Sequence, residues 1–149
     1  MTENEMKNAA DRLYAIIVGE MGKVCAADSI GVNEEEYIAE GYVEATPFKV
    51  YLKAGVHSEN GLVTIFSVLP FEVPQKKADE YAGLICRINY SELYAGSFDY
   101  SPEAGKVVFR MALPYRYSLI SKELVQECLN YCVQTVSSHN EKLFEATRE

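Results

Sequence analysis

Apolar residues recur every three or four positions at the start of the chain, then every second position, and the two periods alternate to the end. Met6, Ala10, Leu13, Ile17 and Met21 fall on one stripe at about 100° per residue, the pattern of an amphipathic helix. Thr2 followed by Glu5 fits a capping box at its start, and Gly22 is a ready terminator. From Lys23 to Glu36 the period is lost, and the stretch ADSIGVNEEE reads as a loop. EYIAEGYVEA, FKVYLKAGV and LVTIFSVLPF are then rich in β-branched and aromatic residues. The second of them alternates, with Phe48, Val50, Leu52 and Ala54 set against Lys49, Tyr51 and Lys53. Thr46-Pro47 separates the first two strands, and HSENG, whose Asn-Gly pair accepts positive φ, separates the second and third.

The helical period returns in EVPQKKADEYAGLICRIN. Pro74 suits a first helical turn, and Ala78, Tyr81, Ala82, Ile85 and Ile88 form the buried stripe. LYAGSFDY and KVVFRMALPY follow as a hairpin around SPEAG, where Pro102 supplies a fixed φ and Gly105 a permissive one. Tyr94, Phe98 and Tyr100 share one strand parity, as do Val107, Phe109, Met111 and Leu113 on the partner strand. Ser121 caps a last helix lined by Leu124, Val125, Leu129, Cys132, Val136 and Leu143, with a tail expected to fray from Glu145. The order is α-β-β-β-α-β-β-α without repeat or linker, so residues 1–149 are read as one α+β domain. Short connections favour an antiparallel sheet flanked by helices.

That order, together with GLVTIFSVLPFEVP, a helix ending in INY, AGSFDYSPEAGKVVFRMALPY and the helix opening SKELVQECLNYCVQTV, resembles the YbjN family and the type III secretion chaperone fold that it shares. The resemblance covers Gly61 to about Val136. It implies a non-enzymatic protein that often forms a homodimer: secretion chaperones of this fold hold an extended segment of another protein, and the YbjN family carries a sensory-transduction label. It supplies no catalytic residues.

Composition narrows the function classes. The 48% apolar content belongs to an ordinary folded chain. A formal charge of -8 argues against nucleic acid and anionic membranes as partners, and the basic residues form no cluster larger than Lys76-Lys77. Neither a leader nor a membrane span is expected, because no basic start precedes an apolar run and the longest apolar runs fall far short of bilayer thickness. A cytoplasmic setting follows, with Cys25, Cys86, Cys128 and Cys132 reduced.

Candidate chemistry is sparse. Cys128, Cys132 and His139 sit at relative helical angles of about 0°, 40° and 20°, one stripe that offers metal-ligand types. The neighbouring apolar face explains both thiols by packing, and His139 is nearly two turns beyond Cys132, so no metal or cofactor is expected. His57, Ser58 and Glu59 are adjacent in a turn and diverge, which argues against a triad. Glu34, Glu35 and Glu36 lack the ligand spacing of a calcium loop. No phosphate-binding, metalloprotease or nucleophile-elbow motif occurs, so no enzymatic activity is expected.

A protein-binding surface fits more of the sequence. With Val107, Phe109 and Met111 facing the core, Arg110 turns to the second face of the sheet, opposite Asp99 or Ser97. Tyr115, Arg116 and Tyr117 form PYRYS, in a loop that is rich in hot-spot residue types and equally reads as one anchored by its tyrosines. Arg110, Tyr115, Arg116 and Tyr117 are therefore the candidate contact residues for a dimer mate or another protein partner. The alternative function is a small-molecule-binding sensory-transduction regulator.

Overall fold

The computed structural model describes residues 2–148. Its first helix, α1 (Glu3–Val24), opens with the expected capping box: Thr2 Oγ1 accepts from the Glu5 amide at 3.2 Å, and Glu5 Oε1 accepts from the Thr2 amide at 3.4 Å. Gly22 does not end the helix. Met21 and Cys25 are both buried, so two further residues stay helical and the chain leaves α1 at Cys25 in extended conformation.

The segment read as a loop holds a short strand. β1 (Gly31–Asn33) pairs antiparallel with β2 (Ile38–Val43) through a turn in which Tyr37 takes a left-handed φ of 57°. Three residues are too few to carry a period, which is why alternation did not mark β1. β3 (Val50–His57) and β4 (Leu62–Val68) complete the meander, with Gly61 at φ 64° in the expected turn.

Pro74 precedes a 3₁₀ turn (Gln75–Lys77) rather than lying inside a first α-turn, and α2 (Ala78–Ser91) follows. Of its expected stripe, Ala78, Tyr81, Ile85 and Ile88 are buried and Ala82 is half-buried. β5 (Ser97–Ser101) starts later than LYAGSFDY implied. Gly96 turns the chain at φ 70°, where a Cβ would lie 2.6 Å from the Phe109 ring, so Tyr94 falls outside the strand and is fully exposed. β6 (Lys106–Pro114) pairs with both β5 and β4.

α3 (Lys122–Glu145) is capped by Ser121 Oγ, which accepts from the Leu124 amide at 3.1 Å. Leu124 itself points outward; Val125, Leu129, Cys132, Val136 and Leu143 are buried as expected. Beyond Glu145 the chain stays hydrogen-bonded, with the Ala146 amide donating to the Lys142 carbonyl at 3.1 Å and Lys77 Nζ donating to the Ala146 carbonyl at 3.4 Å.

The fold is α+β, a six-stranded antiparallel sheet in the order β1-β2-β3-β4-β6-β5 flanked by helices. α1 packs on β2 and β3 and also on α3; α3 packs on β3, β4 and β6, and α2 packs on β5. One parity of every central strand meets these helices: Leu52, Ile65 and Phe109 lie in one core with Leu13, Ile17 and Leu129. Burial of such side chains stabilises by about 1.5–3 kcal/mol each, so the core determines which face the helices occupy. The other parity faces away from them.

Candidate interaction surfaces

The second face of the sheet follows directly from register. Glu40 lies opposite Lys53, Lys53 opposite Phe66, Phe66 opposite Arg110, and Arg110 opposite Ser97, giving a continuous row across β2, β3, β4, β6 and β5, with Tyr42 opposite Tyr51 in the adjacent row. Tyr51 and Val68 are each 48% exposed, Phe66 is half-buried, and Arg110 and Ala112 are exposed. Two shallow clefts of about 360 and 480 Å³ lie on this face and share Phe66 in their walls.

Arg110 occupies the position its parity implied. Its guanidinium lies 2.6 Å from Asp99 Oδ2, and Ser97 Oγ donates to Asp99 Oδ1 at 3.0 Å, so the carboxylate is held from two sides. Both charged side chains remain roughly half exposed, which makes the pair a small contribution to stability. Nearby, His57 Nε2 is 2.9 Å from Thr64 Oγ1; Ser58 and Glu59 share no hydrogen bond with His57 among the described residues.

PYRYS divides. Tyr115 is 1% exposed and belongs to the core, so it leaves the set of surface contact residues and acts as the loop's anchor. Its amide donates to the Gly61 carbonyl at 2.9 Å, its hydroxyl has no partner, and burial pushes that phenol's pKa up. Arg116 packs over Gly61 and donates to the Glu59 carbonyl at 3.3 Å. Tyr117 is 89% exposed. Arg116 and Tyr117 border a cleft of about 660 Å³ with Met6 and Lys7 of α1, Tyr37 and Ser58.

The cysteine–histidine stripe is taken up by packing. Cys132 is fully buried and its thiol is pushed up to about 12 by desolvation; burial also raises Cys128. His139 Nδ1 is 2.7 Å from the Thr135 carbonyl oxygen, its Nε2 is 3.2 Å from Glu92 Oε1, and the ring packs edge-on against Phe98 at 5.4 Å. Lys142 donates to the other oxygen of Glu92 at 3.3 Å, and hydrogen bonds from Lys142 and His139 hold the Glu92 pKa below the usual carboxylate range. No group of three His, Cys, Asp or Glu among the described residues is placed to hold a metal ion.

Two features escape sequence reasoning. Asn89, on the last turn of α2, donates from Nδ2 to the Phe98 carbonyl and accepts at Oδ1 from the Phe98 amide, both at 2.9 Å; at Phe98 its carboxamide takes the place of a neighbouring strand on the outer edge of β5. Tyr37 donates to Asp11 Oδ1 at 2.5 Å and meets Tyr14 edge-on at 5.5 Å, tying the β1–β2 turn to α1. Neither residue stands out by period or motif.

No family model matches the chain, and no curated protein matches it. Among solved structures, it is similar to a chain of the crystal structure of the ExsC–ExsE complex, with a TM-score of 0.61 and 11% identity over 90% of this chain and 95% of that one. The likeness is one of fold: the helix-flanked antiparallel sheet has the chaperone-like topology of that structure. No helix among the described residues is long and apolar enough to cross a membrane.

Proposed function

We propose that this protein is a non-enzymatic protein-binding module of the YbjN type, a homodimer that works as a chaperone-like or regulatory adaptor. The observation that carries the reading is the helix-free face of the sheet. Solvated sheet faces are normally polar, yet this one presents Tyr51, Phe66 and Val68 in a continuous patch with Arg110 at its margin. Aromatic residues and arginine are the types that concentrate binding energy when a partner excludes water from them. The resemblance in fold to a protein solved as a complex adds support without naming a partner. Arg116 and Tyr117 extend the binding surface at the neighbouring loop.

Light scattering and capture experiments test this. The wild type is expected above its monomer mass of 16.7 kDa, and immobilised protein is expected to retain a reproducible partner that Phe66→Ser loses. A strictly monomeric protein with no polypeptide partner would sink the reading.

The second reading is a small-molecule-binding sensory regulator. The 660 Å³ cleft favours it, since that volume lies within the range of about 300–1,000 Å³ found for ligand sites. Native mass spectrometry separates the two: a co-purified small molecule without a protein partner would favour the sensor.

A further inference from the structure

Arg116 is held in place and left without a counter-charge. Its neighbour Tyr115 is buried and donates its amide to the Gly61 carbonyl at 2.9 Å, and Arg116 Nη2 donates to the Glu59 carbonyl at 3.3 Å. A Cβ built on Gly61 would lie 3.3 Å from Arg116 Nε and 3.5 Å from Met6 Cε, so the guanidinium and the Met6 methyl converge over a glycine at φ 64°. Among the described residues no carboxylate pairs with Arg116. Most of the donors of its fork are therefore free for a ligand in the 660 Å³ cleft that it lines.

The other charged residues of that cleft share this property. Lys7 on α1, Glu3 one turn before it and Glu59 in the turn after β3 all line the cleft, and among the described residues none of them forms an ion pair. Both signs are present and neither cancels the other. A simple anion drawn to Arg116 and Lys7 also meets Glu3 and Glu59, and a simple cation meets the reverse. A dipolar ligand satisfies both sets.

We propose that this cleft binds a free α-amino acid with an aromatic side chain, its carboxylate on Arg116 and its ammonium on Glu59. This inference rests on the second reading, of a small-molecule regulator, and names the class of its ligand. The two charged groups of an amino acid branch from one Cα, so their partners must be neighbours, and Glu59 is joined to Arg116 through its own carbonyl.

The remaining walls suit the side chain. Met6 and Tyr37 are half-buried there and Ala10 is fully buried. Tyr37 is a fixed wall, because its hydroxyl donates to Asp11 and its ring meets Tyr14 edge-on. Tyr117, 89% exposed beside Arg116, offers a further ring. The Tyr115 hydroxyl supplies a second sign of a missing acceptor. It is buried without a partner, burial raises its pKa against the opposing charge of Arg116, and it acts electrostatically on Tyr37. A carboxylate seated on Arg116 brings an acceptor towards that donor.

The test is isothermal titration of the full chain with L-phenylalanine and L-tryptophan, each compared with its N-acetyl derivative, which lacks the ammonium, and its amide, which lacks the carboxylate. The free amino acids are expected to bind and to shift the backbone amide signals of Gly61, Arg116 and Tyr117. Both blocked forms should bind roughly tenfold or more weakly, and Arg116→Gln and Glu59→Gln should each cause a loss of similar size with the urea midpoint unchanged. The analogue series uses the unaltered protein, so it decides the matter even where a variant is destabilised.

N-acetyl derivatives that bind as well as the free amino acids would make the ligand a simple anion and overturn the inference. So would signal shifts confined to other residues, or affinity unchanged in both variants. If neither amino acid binds while native mass spectrometry finds another small molecule retained by the wild type, the amino-acid assignment falls and the small-molecule reading stands; if nothing is retained, both fall.

Discussion

The covered and open faces of the sheet are made by the same strands and differ in what meets them. On β3, Leu52 and Ala54 are buried under α1, while Tyr51 and Lys53, one residue away, are exposed. On β6, Phe109 packs with Phe98 at 5.1 Å in the interior and its neighbour Arg110 stands in solvent beside Asp99. Strand parity assigns each residue to a side. It says nothing about whether the second side is finished, and that difference separates a stable sheet from a surface available for binding.

The widest separation between solvated surface and covered core is expected in thiol chemistry. Cys86 is exposed on α2, whereas Cys132 is fully buried on the covered side. With a thiol reagent in native buffer, Cys86 should react at once and Cys132 only on global opening, which costs about 5–15 kcal/mol for a domain of this kind. Comparable rates would mean that the covered face is loosely packed.

The same thiol gives a pH dependence. Desolvation raises Cys132 from 9.0 to about 12, so the unfolded chain ionises first and the folded chain holds its proton. The stability it contributes is therefore complete below 9.0 and lost as pH rises towards about 12. Denaturant midpoints should fall across that window, and Cys132→Ala should flatten the fall.

Mutations continue the contrast. Phe109→Ala removes a fully buried ring from beside Phe98 and Tyr131, and should cost about 3–5 kcal/mol by urea unfolding. Phe66→Ser, on the other side of the same sheet, should cost well under half of that and act mainly on association. Equal losses would mean that Phe66 is a core residue of the monomer.

These contrasts also separate what the sequence carried from what it could not. Helix α1 was legible because five apolar positions and a capping box agree, and the turns at Gly61 and Gly105 because positive φ is costly for other residues. β1 was not, since Val32 is its only apolar side chain and its identity as a strand comes from pairing with β2. Tyr115 was misplaced for a related reason. PYRYS is punctuated as a loop, and only packing against the rest of the chain draws the first tyrosine inward while leaving Tyr117 outside. Arg110 was placed correctly because a two-residue period leaves it no other side. Asn89 illustrates the limit: a carboxamide at a helix end has no pattern until the edge of β5 comes beside it.

At the edge itself, Asn89→Ala leaves the Phe98 amide and carbonyl without their partner, a loss of about 1–3 kcal/mol if they stay shielded from water. It should also free the outward groups of Phe98 on the β5 edge, read as self-association that grows with concentration. A variant that is destabilised but stays dispersed would show that α2 covers the edge without Asn89.

Arg110→Ala is expected to have the smallest effect on the fold and the most informative one on function. The ion pair with Asp99 is half exposed on both sides, and pairs of that kind contribute about 0–1 kcal/mol, so the urea midpoint should barely move. In an interface the same pair is desolvated, and removing one partner leaves Asp99 covered without its cation, which costs more than the pair contributed in water. Dimerisation or partner retention should then fall by roughly tenfold or more while stability is preserved. Asp99→Ala in the Arg110→Ala background should recover part of the loss, since it removes the stranded carboxylate. If association is unchanged in both variants, Arg110 is a solvated residue on an uncovered face.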